Sequence, residues 1–155
     1  MKHLLSLICL LFATLCLGQS AAHKPCFEYG DTTFYIGQKM VKRNIFFDLS
    51  NGNVIADYRA ILDSLATFLV NHPTIKIEIG VHTDSRGSAK FNAPISYRRS
   101  KNLMYYLEDR VAPSRLSAIG YGETQILNHC IDGVKCTEEE HQVNRRVEFK
   151  ILSTE

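Results

Sequence analysis

Signatures of catalytic chemistry are scarce in this 155-residue chain. It has no G-x-S-x-G elbow, no H-E-x-x-H helix and no glycine-rich phosphate loop. The serine-hydrolase, zincin and nucleotide-binding templates therefore find no match. Charge of one sign is not in excess either. Eighteen Lys+Arg against sixteen Asp+Glu leave a formal net charge of +2, too near neutral to argue for a nucleic-acid partner. Internal repeats, low-complexity tracts and heptads are missing. Beyond the N-terminus no segment is apolar enough to cross a bilayer. Cys26 beside a histidine would offer a thiol nucleophile, but it lies in an irregular stretch where no partner is held in place. The expectation is a protein that is not an enzyme and takes no cofactor.

What is present begins with residues 1–22. Lys2 supplies a short positive region, Leu4 to Leu17 is almost unbroken apolar sequence, and small residues follow at Gly18, Ser20, Ala21 and Ala22. This is the pattern of a secretory signal peptide, with cleavage expected after Gly18 or Ala22. Cys16 follows the bulky Leu15, which disfavours lipid attachment there. The expected location is the periplasm of an envelope-bounded cell. Export implies an oxidising compartment. Cys130 and Cys136 flank IDGVK, whose Asp132-Gly133 suits a tight turn, and are expected to form a disulfide. Cys26 is then left over.

Residues 23–40 read as an extended lead-in, with a short strand expected at Thr33–Ile36, and residues 41–155 as one domain. Val41–Asp48 reads as a strand, with Ile45, Phe46 and Phe47 at its buried end, and Ser50–Asn53 as turn and helix-start chemistry. Ile55, Tyr58, Ile61, Leu62, Leu65, Phe68 and Leu69 make one apolar helix face, ended by His72-Pro73. Ile75, Ile77, Ile79 and Val81 alternate with Lys76, Glu78 and Gly80, the period of a half-buried strand. A second helix is placed from Pro94 to about Asp109, burying Ile95, Leu103, Met104 and Leu107. Strands are placed at Arg115–Tyr121 and Arg145–Leu152. The order β-α-β-α-β, then a long loop and a final β, predicts an α/β sandwich: a mixed sheet with two main helices packed on one face.

The most informative stretch is His82 to Ser100, HTDSRGSAKFNAPISYRRS. An acid, Asp84, closes the apolar strand; an amide, Asn92, falls in the loop; a base, Arg99, sits on the next helix. The residues Thr83, Asp84, Gly87, Asn92, Ile95, Ser96, Arg99 and Ser100 follow the pattern TD-x-x-G, N-x-x-L-S-x-x-R-A. With Phe46–Asp48, Arg115–Glu123 and Asn144–Phe149, the chain resembles the OmpA-like C-terminal domain, a peptidoglycan-binding module, over about Ile45 to Ile151. The segment from Cys130 to Arg146 resembles a Bacteroidetes-type variant. One departure is Val81, where family members often carry glycine before His-Thr-Asp.

The resemblance implies non-catalytic binding of peptidoglycan through the diamino acid of the stem peptide, diaminopimelate in the usual case. That function tethers the wall to the outer membrane or to an envelope complex. Such a ligand presents an ammonium beside a carboxylate. Asp84 accepts from the ammonium and Arg99 forks onto the carboxylate, in a way lysine does less specifically. Asn92 contacts the ligand or shapes the loop, Arg145 lines the pocket, Asp48 and Ser50 stand at the rim, and Thr83 braces the loop. The duller readings are that Asp84 and Arg99 form a surface ion pair, and that Arg98 and Arg146 are solvated charges. His82 is read as a satisfied histidine at a strand end, Tyr97, Tyr105 and Tyr106 as helix packing, and Glu138–Glu140 as a solvated first helical turn favoured by the helix dipole. The rival constellation is His129, Cys130, Cys136 and His141, which would make the chain an exported metal-binding or peptidoglycan-modifying protein. Its spacing lacks the C-x2-C knuckle of common zinc sites, which leaves the disulfide favoured and no metal expected.

Overall fold

A computed structural model describes residues 24–43 and 59–155. The signal segment, the expected strand end at Ile45–Asp48, Ser50 and the expected helix positions Ile55 and Tyr58 lie outside the described residues. Among the described residues four strands and three helices follow in chain order: β1 (Lys39–Arg43), α1 (Arg59–Asn71), β2 (Lys76–His82), α2 (Ala89–Glu108), β3 (Leu116–Gly122), α3 (Glu138–Asn144) and β4 (Arg146–Ser153). A 3-10 turn, Pro113–Arg115, leads into β3.

The sheet order is β1-β4-β2-β3. β4 runs antiparallel to both β1 and β2, and β2 runs parallel to β3. The last strand thus inserts between the first and second, and the sheet is mixed, as the element order predicts. Along β2, Ile77, Ile79 and Val81 point into the core with Phe149 and Ile151 of β4. They meet Leu62, Leu65 and Leu69 of α1 and Leu103 and Leu107 of α2, all in one apolar cluster. Each such side chain, fully buried, stabilises by about 1.5–3 kcal/mol. Val81 is 1% exposed and packs in this core, so the departure from glycine adds apolar contact and does not crowd the strand end. Arg115 ties the end of α1 to the sheet, donating to the carbonyls of Leu69, His72 and Ile75.

Three expectations shift. Thr33–Ile36 is not a strand, and Lys39 opens β1, because Gln38 bonds back to Tyr35 N–H and the Lys24 carbonyl and so closes a turn. The lead-in nevertheless joins the core: Phe27 is 1% exposed and stacks on Phe68 at 5.5 Å. Third, α2 starts at Ala89, and Pro94 lies inside it. The start belongs to Ser88, whose carbonyl accepts from the N–H groups of Phe91 and Asn92. Pro94 is the sixth residue of α2 and lacks the N–H that would bond to the Lys90 carbonyl, so the helix carries it at the loss of one backbone hydrogen bond.

α2 lies hard against β3. A Cβ on Gly120 would stand 2.1 Å from the backbone nitrogen of Tyr97, so only glycine allows this approach. The Ser96 hydroxyl donates to the Ala93 carbonyl and accepts from Gly122 N–H. This packing fixes where α2 begins relative to the strand ends, and hence where Asn92 and Arg99 stand.

Candidate functional site

Residues 83–88 leave the C-terminal end of β2, beside the end of its parallel neighbour β3. Thr83 N–H bonds to the Gly122 carbonyl, and its hydroxyl donates to the Asp84 carbonyl at 2.9 Å. Gly87 takes φ 92°, which turns the loop toward α2. The Asn92 amide, on the first turn of α2, donates to the carbonyls of Asp84 and Arg86 and to the Glu123 carboxylate. Asn92 is therefore a helix residue, and it closes the loop from the α2 side.

Asp84 is 5% exposed. Burial alone would push its carboxyl up, but hydrogen bonds from Arg86 and Arg145 outweigh burial and hold it below the usual carboxylate range. Arg86 reaches it from the same loop at 2.9 Å and Arg145 from the end of α3 at 2.5 Å. Both arginines also bond to Glu138, and Arg145 bonds to Gln142 as well. Glu138 is lowered in turn, first by the Arg145 bond. The site is thus a fixed carboxylate ringed by guanidinium groups, beside α2, which carries Arg99. Arg99 is half-buried, and burial followed by the Arg98 charge pulls its guanidinium down from its ordinary value.

Comparison with known proteins places this arrangement. A family model described as the OmpA family matches residues 46–138. The chain belongs to the OmpA family. It is 35% identical over 111 residues to a peptidoglycan-associated lipoprotein of Buchnera aphidicola, across 70% of this chain and 61% of that one. It is 34% identical to outer membrane porin F of Pseudomonas fluorescens, across 78% of this chain and 32% of the porin. The chain therefore spans about a third of the porin and about three fifths of the lipoprotein. Among solved structures it is similar to the peptidoglycan-associated lipoprotein of Burkholderia pseudomallei, with TM-score 0.59, 25% identity and coverage of 71% of this chain and 90% of that one.

For this OmpA-family chain the fold brings Thr83, Asp84, Asn92 and Arg145 together, while Asp48 and Ser50 lie outside the described residues. Sequence reading missed Arg86, Glu138 and Glu123. Arg86 carried a local signal, standing two residues after Asp84, a spacing at which an aspartate side chain commonly accepts from the backbone; Arg86 N–H does donate to Asp84 Oδ1. Glu138 was read only as solvated helix start. It does open α3, whose capping box joins Thr137 to Glu140.

Several neighbours differ from their expected roles. Asp84 pairs with Arg86 and Arg145, the strong contacts of a loop closed on itself. Arg146 is buried, not solvated: it bonds to Glu148 and to the Gln125 and Asn144 carbonyls. His82 is fully buried and stacked on Tyr121 at 4.8 Å, yet among the described residues neither ring nitrogen has a hydrogen-bond partner. Tyr97 and Tyr105 are exposed, and only Tyr106 packs, donating to Asp63.

Cys130 and Cys136 form a disulfide. The pair does not gather the donors proposed for a metal. Glu140, not His141, stands with His129 and the two sulfurs, and His141 is buried in α3. Among the described residues no helix is long and apolar enough to cross a membrane.

Proposed function

We propose that this chain binds peptidoglycan without modifying it, through the zwitterionic end of a stem-peptide diamino acid such as diaminopimelate. It thereby holds the cell wall to the outer membrane or to an envelope complex from the periplasmic side. The names of its lipoprotein and porin relatives support the polymer and the compartment. One observation carries the chemistry: Asp84 is buried, ionised and clamped at the strand end by Arg145, with Arg86 lying over it on a side chain still 52% exposed.

Binding exchanges charge for charge. The ligand ammonium takes the place that Arg86 holds on Asp84, while Arg145 keeps the carboxylate oriented. The ligand carboxylate meets Arg99, whose planar fork offers paired donors. Charge-assisted bonds of this kind contribute about 1.5–3 kcal/mol each. The entropy lost on binding offsets much of that. A reversible site on a polymer that offers many copies suits a tether.

Sedimentation of the chain with purified sacculi tests the reading. The chain is expected in the pellet, free diaminopimelate is expected to release it, and prolonged incubation is expected to yield no soluble wall fragments. A chain that stays in solution contradicts the binding reading. Release of fragments contradicts the non-catalytic one.

A further inference from the structure

Between the end of β3 and the first turn of α3 the chain places His129, Cys130, Cys136 and Glu140 in one short span. The Asp132–Gly133 turn, with Gly133 at φ 79°, folds that span back on itself. The two cysteines meet with Cα atoms 5.9 Å apart. His129 Nε2 lies 3.6 Å from Cys136 Sγ and 3.5 Å from Glu140 Oε1. One donor atom from each of the four residues lies within 4.8 Å of the other three. In a tetrahedral zinc site with bonds of about 2.0–2.3 Å, neighbouring ligand atoms stand about 3.3–3.8 Å apart. Two of the contacts already have that spacing.

The supporting contacts leave these donors available. Glu140 Oε2 accepts from Thr137 N–H at 2.8 Å, which leaves Oε1 directed at His129. A cation can therefore take Oε1 while the start of α3 keeps its cap. The His129 side chain is 65% exposed and Cys136 is only half-buried, so an ion can approach the ring and a reductant the Cys136 sulfur. Cys130 is buried and its carbonyl accepts from Ser85, which anchors the inner side of the cluster.

We propose that these four side chains form a redox-gated site for a zinc-like divalent cation, closed as the disulfide and opened by a dithiol. A dithiol carrier supplies two electrons and two protons. The Cys130–Cys136 bond breaks to two thiols while the carrier's own sulfurs join as a disulfide. The cation then displaces one proton from each thiol and is held by both thiolates, His129 Nε2 and Glu140 Oε1. The sulfurs need only part to about 3.7 Å, by rotation of the two side chains. In both states the loop stays tied to the start of α3, by a covalent bond in one and by the ion in the other. This inference is independent of the peptidoglycan reading.

Equilibrium dialysis against zinc tests it, using the full chain carrying Cys26→Ser, oxidised or pre-treated with an immobilised dithiol. The reduced chain is expected to take up stoichiometric zinc and the oxidised chain none. Cobalt in place of zinc is expected to show thiolate-to-metal charge transfer and the intense visible bands of a tetrahedral site. Glu140→Gln keeps a capping acceptor, and His129→Ala alters an exposed side chain, so neither threatens the fold. Each is expected to weaken zinc binding by more than the ~10-fold that loss of an outer-shell partner costs. The proposal is overturned if the reduced chain takes up no zinc. It is equally overturned if uptake is unchanged in both variants, or persists in the Cys130→Ser/Cys136→Ser pair.

Discussion

Asp84 is the residue whose environment says most. Its carboxyl is held low, so the sign of its contribution follows: it stabilises the fold above the ordinary aspartate range, and that stability is lost as pH falls through the lowered value. Arg86 and Arg145 share it unequally. Arg145 is bound by Glu138 and Gln142 as well, while half of the Arg86 side chain faces water. An ion pair exposed to this degree is worth about 0.2–1 kcal/mol. Arg86→Ala is therefore expected to tighten binding of free diaminopimelate by up to about fivefold, because the ligand no longer displaces a guanidinium; titration calorimetry measures this, and a clear loss of affinity would show Arg86 to be a ligand contact. Asp84, Asn92 and Thr83 were legible in the sequence because they share one short motif. Arg86 gave only its local signal two residues after Asp84, and Glu123 and Glu138 gave none, because their contacts with Asn92, Arg86 and Arg145 join separate segments and no periodicity encodes them.

At the scale of elements, α1 and β2 were legible because each has one wet face and one dry face, and the spacing of apolar residues reports that directly. The start of α2 was misplaced for the opposite reason. Pro94 is the loudest local signal, but Ser88 and the Asn92 contacts set the helix start. Gly120 gave only a strand-end signal, and its actual role is tertiary. Its missing side chain lets α2 approach β3, since a Cβ there would meet Tyr97 N at 2.1 Å. Gly120→Ala is expected to destabilise by about 1–3 kcal/mol or more, the range for forcing volume into a filled site. Urea denaturation reads it, and an unchanged midpoint would mean that α2 shifts freely. Binding is expected to suffer alongside stability, because Asn92 and Arg99 move with the helix.

Across the whole molecule, two devices next to the 83–88 loop carry stability and shape. On the sheet face away from α1 and α2, burial first and then the Arg146 charge lower the His82 imidazole to about 4. A histidine lowered in the fold contributes stability that is complete above about 6.5, its ordinary value, and is lost progressively as pH falls toward that lowered value. The denaturation midpoint is therefore expected to drop between pH about 6.5 and about 4, and His82→Phe, which keeps a ring against Tyr121, is expected to flatten that drop; an unaltered pH profile would contradict it. The second device, the Cys130–Cys136 bridge, closes a small loop, for which the chain-entropy model gives only about 2 kcal/mol. Its carbonyl contact with Ser85 and its junction with α3 reach the 83–88 loop and Arg145. Cys130→Ser with Cys136→Ser is expected to weaken sacculus binding proportionally more than it lowers the denaturation midpoint, and a pure stability loss with normal binding would count against that coupling. The central claim is that the opposed charges of Asp84 and Arg99 recognise the wall. The direct measurement is sedimentation with purified sacculi of Asp84→Ala and Arg99→Ala, each checked by circular dichroism for an intact fold. The account predicts that both folded variants remain in solution while the parent pellets; two folded variants that pellet like the parent would contradict it.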